Sequence, residues 1–158
     1  MRTKRTIENL GSLNKKALAK LEPFLTEAEA AMAKEGVNIE VISGLRSWAA
    51  QSALYAQGRT KPGRIVTKAP PGSSWHNYGL AIDLGLFKNG VYLDERNPAF
   101  ADKLYAKIGA IAAKHGVEWA GNWKSFTETP HFQVTFGLTL KEARIRMEPI
   151  GRDIQKLV

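Results

Sequence analysis

The sequence predicts an α+β fold, in which a small, mainly antiparallel sheet carries helices packed largely on one of its faces. Three observations lead to this fold class. The length of 158 residues and the 44% hydrophobic content suit a single globular core. Short apolar or β-branched runs, typical of strands, alternate with longer stretches of helical periodicity. The turn signal Lys88-Asn89-Gly90 favours a hairpin, and therefore antiparallel pairing.

The first part of the chain is predicted to be mainly helical. Residues 7–12 read as a loop or the approach to a strand. Pro23 disfavours helix at the residue before it and itself suits a first helical turn, so we expect two successive helices rather than one. The alternation and β-branching of 38–43 predict a strand, and Ser47 can cap the helix that follows. The predicted helices are 13–21, 23–34 and 48–57.

The second part is predicted to hold most of the sheet. Residues 58–74 form a long loop rich in Gly, Pro and basic residues, and we expect it to make one wall of a cleft. His115 falls at the end of a predicted helix, where the helix dipole favours it, so we interpret it as a cap rather than a metal ligand. The predicted strands are 80–86, 91–93, 117–119 and 131–134, and the predicted helices are 97–115 and 138–147.

Two histidines and an aspartate are the candidate metal ligands. The chain has three histidines and no cysteine, so few side chains are available for a transition metal. His76, Asp83 and His131 offer two imidazoles and one carboxylate, a set that suits a catalytic zinc with a fourth position open for water. Glu128, three residues before His131, is the natural base to take a proton from that water. The sequence therefore predicts a zinc hydrolase.

The spacing of these residues demands two bends in the backbone. Ligands of one ion lie about 3 Å apart, whereas seven residues of extended chain span about 23 Å. The chain must therefore turn between His76 and Asp83, and Gly79 permits such a turn. Glu128 and His131 can converge only if the chain bends between them, which Pro130 favours. The alternative for Asp83 is a buried salt bridge to an arginine or lysine, and the alternative for Glu128 is an exposed loop acid.

These residues carry a family resemblance. Ser74-x-His76-x-x-Gly79-x-Ala81-x-Asp83, followed by Glu128-x-x-His131, resembles the zinc peptidoglycan peptidases, which include D-Ala-D-Ala carboxypeptidases and L-alanyl-D-glutamate endopeptidases. Two further stretches match, Ser43 to Ser47 and Gln51 to Thr60. The resemblance is greatest to the phage and prophage endolysin branch and covers roughly residues 23 to 140.

The resemblance implies a role for each matched residue. His76, Asp83 and His131 would bind one Zn²⁺ per chain, and Glu128 would be the catalytic base. Arg46 matches an arginine that contacts substrate near the scissile carbonyl; read from the sequence alone, it could equally be a surface arginine that caps a turn. Three further side chains are expected at the substrate site: Gln51, Ser74 and Trp123. The alternative to substrate contact is bracing of the site for Gln51 and packing under the cleft for Trp123.

The resemblance also implies a substrate, the peptide stem of peptidoglycan, cut at the L-alanyl-D-glutamate bond. The alternatives are a D-Ala-D-Ala carboxypeptidase with the same zinc site and a non-catalytic module that binds the cell wall. The net charge of +8 suits an anionic partner. The charge alone does not distinguish nucleic acid from the anionic polymers of a cell wall. No nucleic-acid motif accompanies it, so nucleic acid is not expected as a partner, and a basic nucleic-acid-binding protein is the least favoured alternative.

The chain is expected to be one catalytic domain over residues 1–158, with its core at about 23–140. Residues 148–158 form a tail too short for a separate wall-binding domain. No apolar run is long enough to span a bilayer, and no apolar signal core follows the basic N-terminus. We therefore expect a monomer made in the cytoplasm that reaches the wall on release at lysis.

Overall fold

The computed structural model describes all residues from 1 to 158, and its architecture is α+β, as the sequence predicts. No helix is long and apolar enough to cross a membrane. The helices are α1 (Lys4–Gly11), α2 (Lys15–Ala33), α3 (Trp48–Ala56), α4 (Leu93–Arg96), α5 (Pro98–Lys114) and α6 (Leu140–Met147). The strands are β1 (Asn38–Ser43), β2 (Ala81–Lys88), β3 (Val91–Tyr92), β4 (Glu118–Trp119) and β5 (His131–Gln133). Short 3₁₀ turns occur at Trp75–Tyr78, Ala120–Asn122 and Ile154–Lys156.

The five strands form one antiparallel sheet. Its order is β1-β2-β5-β4, and β3 pairs with the end of β2. The hairpin predicted at Lys88-Asn89-Gly90 is confirmed, since Lys88 pairs with Val91 across this turn. In the centre of the sheet, Asp83 lies directly opposite His131. The register therefore brings together two candidate ligands that are 48 residues apart in sequence.

The central strand β2 divides the molecule into a core side and a site side. Successive side chains of a strand point to opposite faces. Ile82, Leu84 and Leu86 belong to the main hydrophobic cluster, which also contains residues of α2 and α5. Asp83, between two of them, therefore projects from the other face. The packed face supplies the stabilising apolar burial, and the opposite face carries the candidate metal ligand Asp83.

Helix α2 corrects the prediction of two helices separated at Pro23. It runs unbroken through the proline. An interior proline removes one helical hydrogen bond and costs about 3 kcal/mol. The buried face of the helix continues across the proline, with Leu21, Phe24 and Leu25 all fully buried. This shared burial outweighs the lost hydrogen bond at Pro23.

Helix α1 corrects the prediction of a loop or strand approach at residues 7–12. Its side chains close the outer edge of β1: the Val41 amide donates to Thr6 Oγ1 (3.1 Å), and Asn9 Nδ2 donates to the Val41 carbonyl (2.8 Å). An exposed strand edge invites pairing with other chains. The helix is therefore fixed to the sheet by polar contacts, and its Leu10 packs in the main hydrophobic cluster.

The C-terminal residues pack against the start of α2. Asn14 Nδ2 donates to the Ile154 carbonyl at 2.6 Å, and Gln155 Nε2 donates to the Leu13 carbonyl at 3.0 Å. Leu157 is buried in a second apolar cluster together with Tyr78 and Leu80. This cluster lies beneath the turn that carries His76, so the tail supports the segment between two of the candidate ligands.

Candidate metal centre

His76 is held in a short 3₁₀ turn, Trp75–Tyr78, that begins after Ser74. The Ser74 hydroxyl accepts from the His76 amide at 3.4 Å. Gly79 ends the turn with a φ of +67°, in the left-handed region that favours glycine. The chain therefore reverses after His76 and enters β2, which carries Asp83. The turn predicted between these two residues is confirmed.

The three candidate ligands converge at the site face of the sheet. Asp83 Oδ2 lies 3.2 Å from His76 Nε2, and Asp83 Oδ1 lies 3.1 Å from His131 Nδ1. One potential ligand atom from each residue lies within 4.8 Å of the others. No arginine or lysine pairs with Asp83, so the alternative of a buried salt bridge is wrong. The spacing is that of groups sharing one ion, each about 2 Å from it.

Hydrogen bonds on the far side of each imidazole select the nitrogen that faces Asp83. His76 Nδ1 lies 2.8 Å from the Gly44 carbonyl, which can only accept, so Nδ1 carries the proton and Nε2 presents its lone pair. His131 Nε2 lies 2.8 Å from Gln133 Oε1, so in the neutral ring the lone pair is on Nδ1. Each imidazole is thus oriented as a metal ligand usually is, with its second nitrogen bonded to the protein.

These tautomers make the site fit a cation. Two imidazole lone pairs and two carboxylate oxygens face one another at 3.1–3.2 Å. Acceptors repel at this distance unless a proton or a metal ion lies between them. Two imidazoles and one carboxylate form the donor set of many catalytic zinc sites. The residues present therefore fit zinc, with His76 Nε2, Asp83 and His131 Nδ1 as the ligand groups.

The electrostatics of these side chains show the same preference for positive charge. Burial by itself would raise the pKa of Asp83, but hydrogen bonds from the His131 and His76 rings in their protonated form hold it far below its ordinary value. Burial by itself would lower the pKa of His131, but its bonds with Asp83 and Gln133 leave the pKa above the usual 6.5. The carboxylate is therefore ionised and draws a cation to this point.

Glu128 reaches the site through the predicted bend. The His131 amide donates to the Glu128 carbonyl at 3.2 Å, which closes a turn over Thr129 and Pro130. This turn brings Glu128 Oε2 within 3.9 Å of His131 Nδ1. Its side chain is 60% exposed. Glu128 is therefore a solvent-facing carboxylate beside the ligands and not one of them, a position that suits a base acting on water.

The candidate ligands lie in a cleft of about 1010 Å³. The prediction that the loop of residues 58–74 forms one wall is confirmed, since Ile65 to Pro70 line the cleft together with Ser73 and Ser74. The opposite wall is the segment from Trp123 to Pro130. The Lys68 ammonium lies 4.1 Å from the centre of the Phe126 ring and links the two walls. The cleft is open to solvent and large enough for a peptide segment.

Three of the four predicted substrate residues line the cleft: Arg46, Ser74 and Trp123. Arg46 donates to Ser43 Oγ at 3.2 Å and to Gln51 Oε1 at 3.0 Å. Gln51 is fully buried and is not part of the cleft lining. It also donates to the Ala69 carbonyl at 2.8 Å. Gln51 therefore braces Arg46 against the cleft wall, the alternative left open for it by the sequence. The Trp123 ring centre lies 5.6 Å from that of His131.

His115 lies away from the centre, as predicted. It is the C-terminal cap residue of α5. Its Nε2 lies 2.7 Å from Glu27 Oε2, a contact between two helices.

Two residues of the site are not among those predicted from the sequence. Gln133 accepts from His131, and its own Nε2 donates to Glu118 Oε2 at 3.0 Å. Glu118 Oε1 also accepts from Trp123 Nε1 at 2.8 Å. Strand periodicity could have identified Gln133, since it lies two residues after His131 and shares its face. Nothing in the sequence identifies Glu118, which reaches Gln133 only through the pairing of β4 with β5.

The fold and this site fit a class of protein, the metal-dependent hydrolases whose cleft holds two histidines, an aspartate and a separate glutamate. Comparison with known families gives a more specific result. A family of peptidases described as D-alanyl-D-alanine carboxypeptidase matches residues 67–134, which include all four of these side chains. The chain belongs to this family of peptidases.

The chain is also similar to individual proteins. The chain is 41% identical over 112 residues to the peptidoglycan L-alanyl-D-glutamate endopeptidase CwlK of Bacillus subtilis (strain 168), covering 67% of this chain and 66% of CwlK, just under two thirds. The crystal structure of the Serratia marcescens L-Ala D-Glu endopeptidase ChiX is similar with a TM-score of 0.56 and 28% identity, covering 86% of this chain and 91% of ChiX. The vancomycin resistance D,D-dipeptidase VanXYg is similar with a TM-score of 0.54 and 25% identity, covering 92% of this chain and 57% of VanXYg.

Proposed function

We propose that this chain is a zinc-dependent endopeptidase that cuts the L-alanyl-D-glutamate bond in the stem peptide of peptidoglycan. The observation that carries the hydrolytic part is the convergence of two imidazole lone pairs on Asp83, with Glu128 beside them in an open cleft. The choice of bond is supported by the 41% identity to CwlK and the similarity to ChiX.

In this proposal His76 Nε2, Asp83 and His131 Nδ1 hold the zinc. When bound, zinc supplies Lewis acidity that lowers the pKa of a water molecule to about 7. Asp83 contributes the negative charge of the ligand set, and its two oxygens each face one imidazole. The hydrogen bonds from the rings to Gly44 and Gln133 keep both lone pairs directed at the ion.

Glu128 is the proposed general base and acid. Its exposed carboxylate accepts a proton from water as the water oxygen bonds to the peptide carbonyl carbon. The protonated Glu128 then donates that proton to the amide nitrogen as the carbon–nitrogen bond breaks, so the leaving group departs as a neutral amine. The nearest ionisable group to the Glu128 carboxylate is the His131 ring, with Nδ1 3.9 Å away, so the carboxylate is left available to water.

Arg46 is the proposed electrostatic partner of the carbonyl oxygen. The negative charge that develops on this oxygen is stabilised best by a cation already fixed in place. Arg46 meets this condition, since Ser43 and Gln51 hold its guanidinium at the cleft. Lys68 adds a second cation to the lining, which suits a stem peptide rich in carboxylates. Ser74 and Trp123 are the proposed further contacts with the substrate.

A second candidate function is D-Ala-D-Ala carboxypeptidase activity. It is favoured by the description of the family that matches residues 67–134. The same ligands and base would serve it, because the two reactions hydrolyse the same kind of bond at different positions of the stem. The products separate them: the endopeptidase releases new glutamate amino termini, whereas the carboxypeptidase releases free D-alanine.

The experiment is digestion of purified sacculi, with zinc content measured on the same preparation. We expect about one zinc per chain, new glutamate amino termini detected by mass spectrometry, and loss of both after chelation and dialysis. Release of D-alanine alone would replace the proposal with the carboxypeptidase. Absence of both zinc and released product would instead favour a module that binds the wall without cleaving it.

The biological setting belongs to the same proposal. The phage or prophage endolysin role, synthesis in the cytoplasm followed by release to the wall, the monomeric state and the affinity for anionic wall polymers all stay predictions. The monomeric state is tested by mass measurement in solution. The endolysin role is tested by lysis of cells that express the chain with and without a pore-forming partner.

A further inference from the structure

We infer that Gln133 and Glu118 are positioning residues that set which nitrogen of His131 is available to the metal. The inference rests on the proposed zinc site and adds to it two residues that touch neither metal nor substrate. It concerns a chain of contacts behind His131, which runs through Gln133 to Glu118 and on to Trp123.

The first link fixes the tautomer of His131. A side-chain amide can present either its oxygen, which accepts, or its nitrogen, which donates. Gln133 presents Oε1 to His131 Nε2 at 2.8 Å, so Nε2 must carry the hydrogen and Nδ1 must be free to bind a metal. The opposite orientation would place a donor against Nε2 and move the ring hydrogen to Nδ1, where it would block the ligand position.

The second link fixes the orientation of Gln133. Glu118 Oε2 accepts from Gln133 Nε2 at 3.0 Å, and a carboxylate accepts but does not donate. Gln133 therefore cannot rotate its amide without placing its oxygen against that carboxylate. Glu118 is held in turn, because its other oxygen accepts from Trp123 Nε1 at 2.8 Å. Gln133 is only 3% exposed, so its amide has little access to water, whereas Glu118 itself is exposed.

The third link reaches the cleft. Trp123 begins the wall that ends in Glu128 and the turn before His131. Glu118 thus binds both the residue that orients a metal ligand and the residue that starts the wall bearing the base. The donor and acceptor roles in this whole series of contacts follow from one fact, namely that the Glu118 carboxylate can only accept hydrogen bonds.

The test uses a double variant, called the swapped pair, in which residues 118 and 133 exchange the roles of hydrogen-bond acceptor and donor in their mutual contact. In Glu118→Gln/Gln133→Glu, the new carboxylate at 133 can accept from His131 Nε2 and from the new amide at 118. The amide oxygen at 118 can still accept from Trp123. The matched disruption is Gln133→Leu, which removes the acceptor while keeping an apolar side chain of similar size. Gln57→Leu, outside the cleft lining, is the control for the same chemical change.

Zinc affinity is measured by competition with a chelating indicator. We expect Gln133→Leu to weaken zinc binding by about 10- to 100-fold, the usual effect of losing a partner behind a metal-binding histidine. The swapped pair and Gln57→Leu should bind zinc as the wild type does. A Gln133→Leu chain that keeps wild-type affinity would overturn the inference. So would a folded swapped pair that binds as weakly as Gln133→Leu.

A second measurement needs no metal. In alkaline buffer, where the imidazole is neutral, ¹⁵N spectra of the metal-free chain report which ring nitrogen of His131 carries the hydrogen. We expect Nε2 in the wild type and in the swapped pair, and a mixture in Gln133→Leu. A wild-type ring protonated on Nδ1 would refute the inference. A wild-type chain that binds no zinc would instead refute the proposed metal site, so the two failures are distinguishable. Should Gln133→Leu not fold, the swapped pair decides alone.

Discussion

Replacing Glu128 with glutamine tests the proposed base separately from the proposed metal ligands. The substitution keeps the shape of the side chain and removes its ability to accept a proton. Because the side chain is 60% exposed, the free energy of unfolding should change by no more than about 0.5 kcal/mol. Zinc should also be retained, since the converging ligand atoms belong to His76, Asp83 and His131 alone.

The expected loss is in turnover. General base catalysis by a positioned side chain contributes about 10²- to 10⁴-fold, which corresponds to about 3–5.5 kcal/mol in the activation free energy. The assay is the rate of release of new amino termini from sacculi, alongside zinc content and thermal unfolding. Glu95→Gln, an exposed glutamate outside the cleft lining, is the matched control. Near-full activity of Glu128→Gln with its zinc retained would refute the assignment of the base.

Three further predictions follow from the same geometry. His131→Ala should lose zinc and activity together, measured as metal content and sacculus digestion; retained zinc would remove His131 from the ligand set. Gly79→Ala should lower the free energy of unfolding by roughly 1–3 kcal/mol, because its φ is +67° and a Cβ would lie 2.7 Å from Ile154 Cδ1; an unchanged melting temperature would contradict this. Zinc affinity should fall as the pH decreases, and the fall should begin above the ordinary histidine pKa of 6.5. The reason is that the pKa of His131 is raised, so protons compete with the metal for this residue. A constant affinity from pH 8 to 6 in a competition titration would contradict this prediction.

The elements that the sequence predicted well are those whose signals are local. Strand β1 occupies the predicted residues 38–43, and Ser47 caps α3 as expected. Helix α6 falls within the predicted residues 138–147, and Thr139 and Glu142 form a full capping box at its start. Each of these signals depends on residues within one turn or one strand, so no knowledge of the tertiary structure was needed to recognise it.

The elements that the sequence missed depend on distant contacts. Helix α1 has little apolar character, and its side chains are satisfied by the edge of β1 more than 30 residues away. Pro23 is tolerated inside α2 because its neighbours are buried against the sheet and α5. The candidate metal ligands could be recognised in the sequence because only certain residue types bind zinc. Glu118 was not, because glutamates are common and its role depends on strand pairing.

The alternation of β2 and β5 explains how one small sheet serves both stability and chemistry. Ile82 and Leu84 face the core, and Asp83 between them faces the cleft; on β5, Phe132 is buried in the core between His131 and Gln133. A slip of one residue would exchange the two faces of a strand. It would place Asp83 among apolar side chains, where an unpaired charge is very costly. The burial that stabilises the sheet therefore also fixes the register, and the register sets the distances between Asp83 and the two histidines that a metal ion requires.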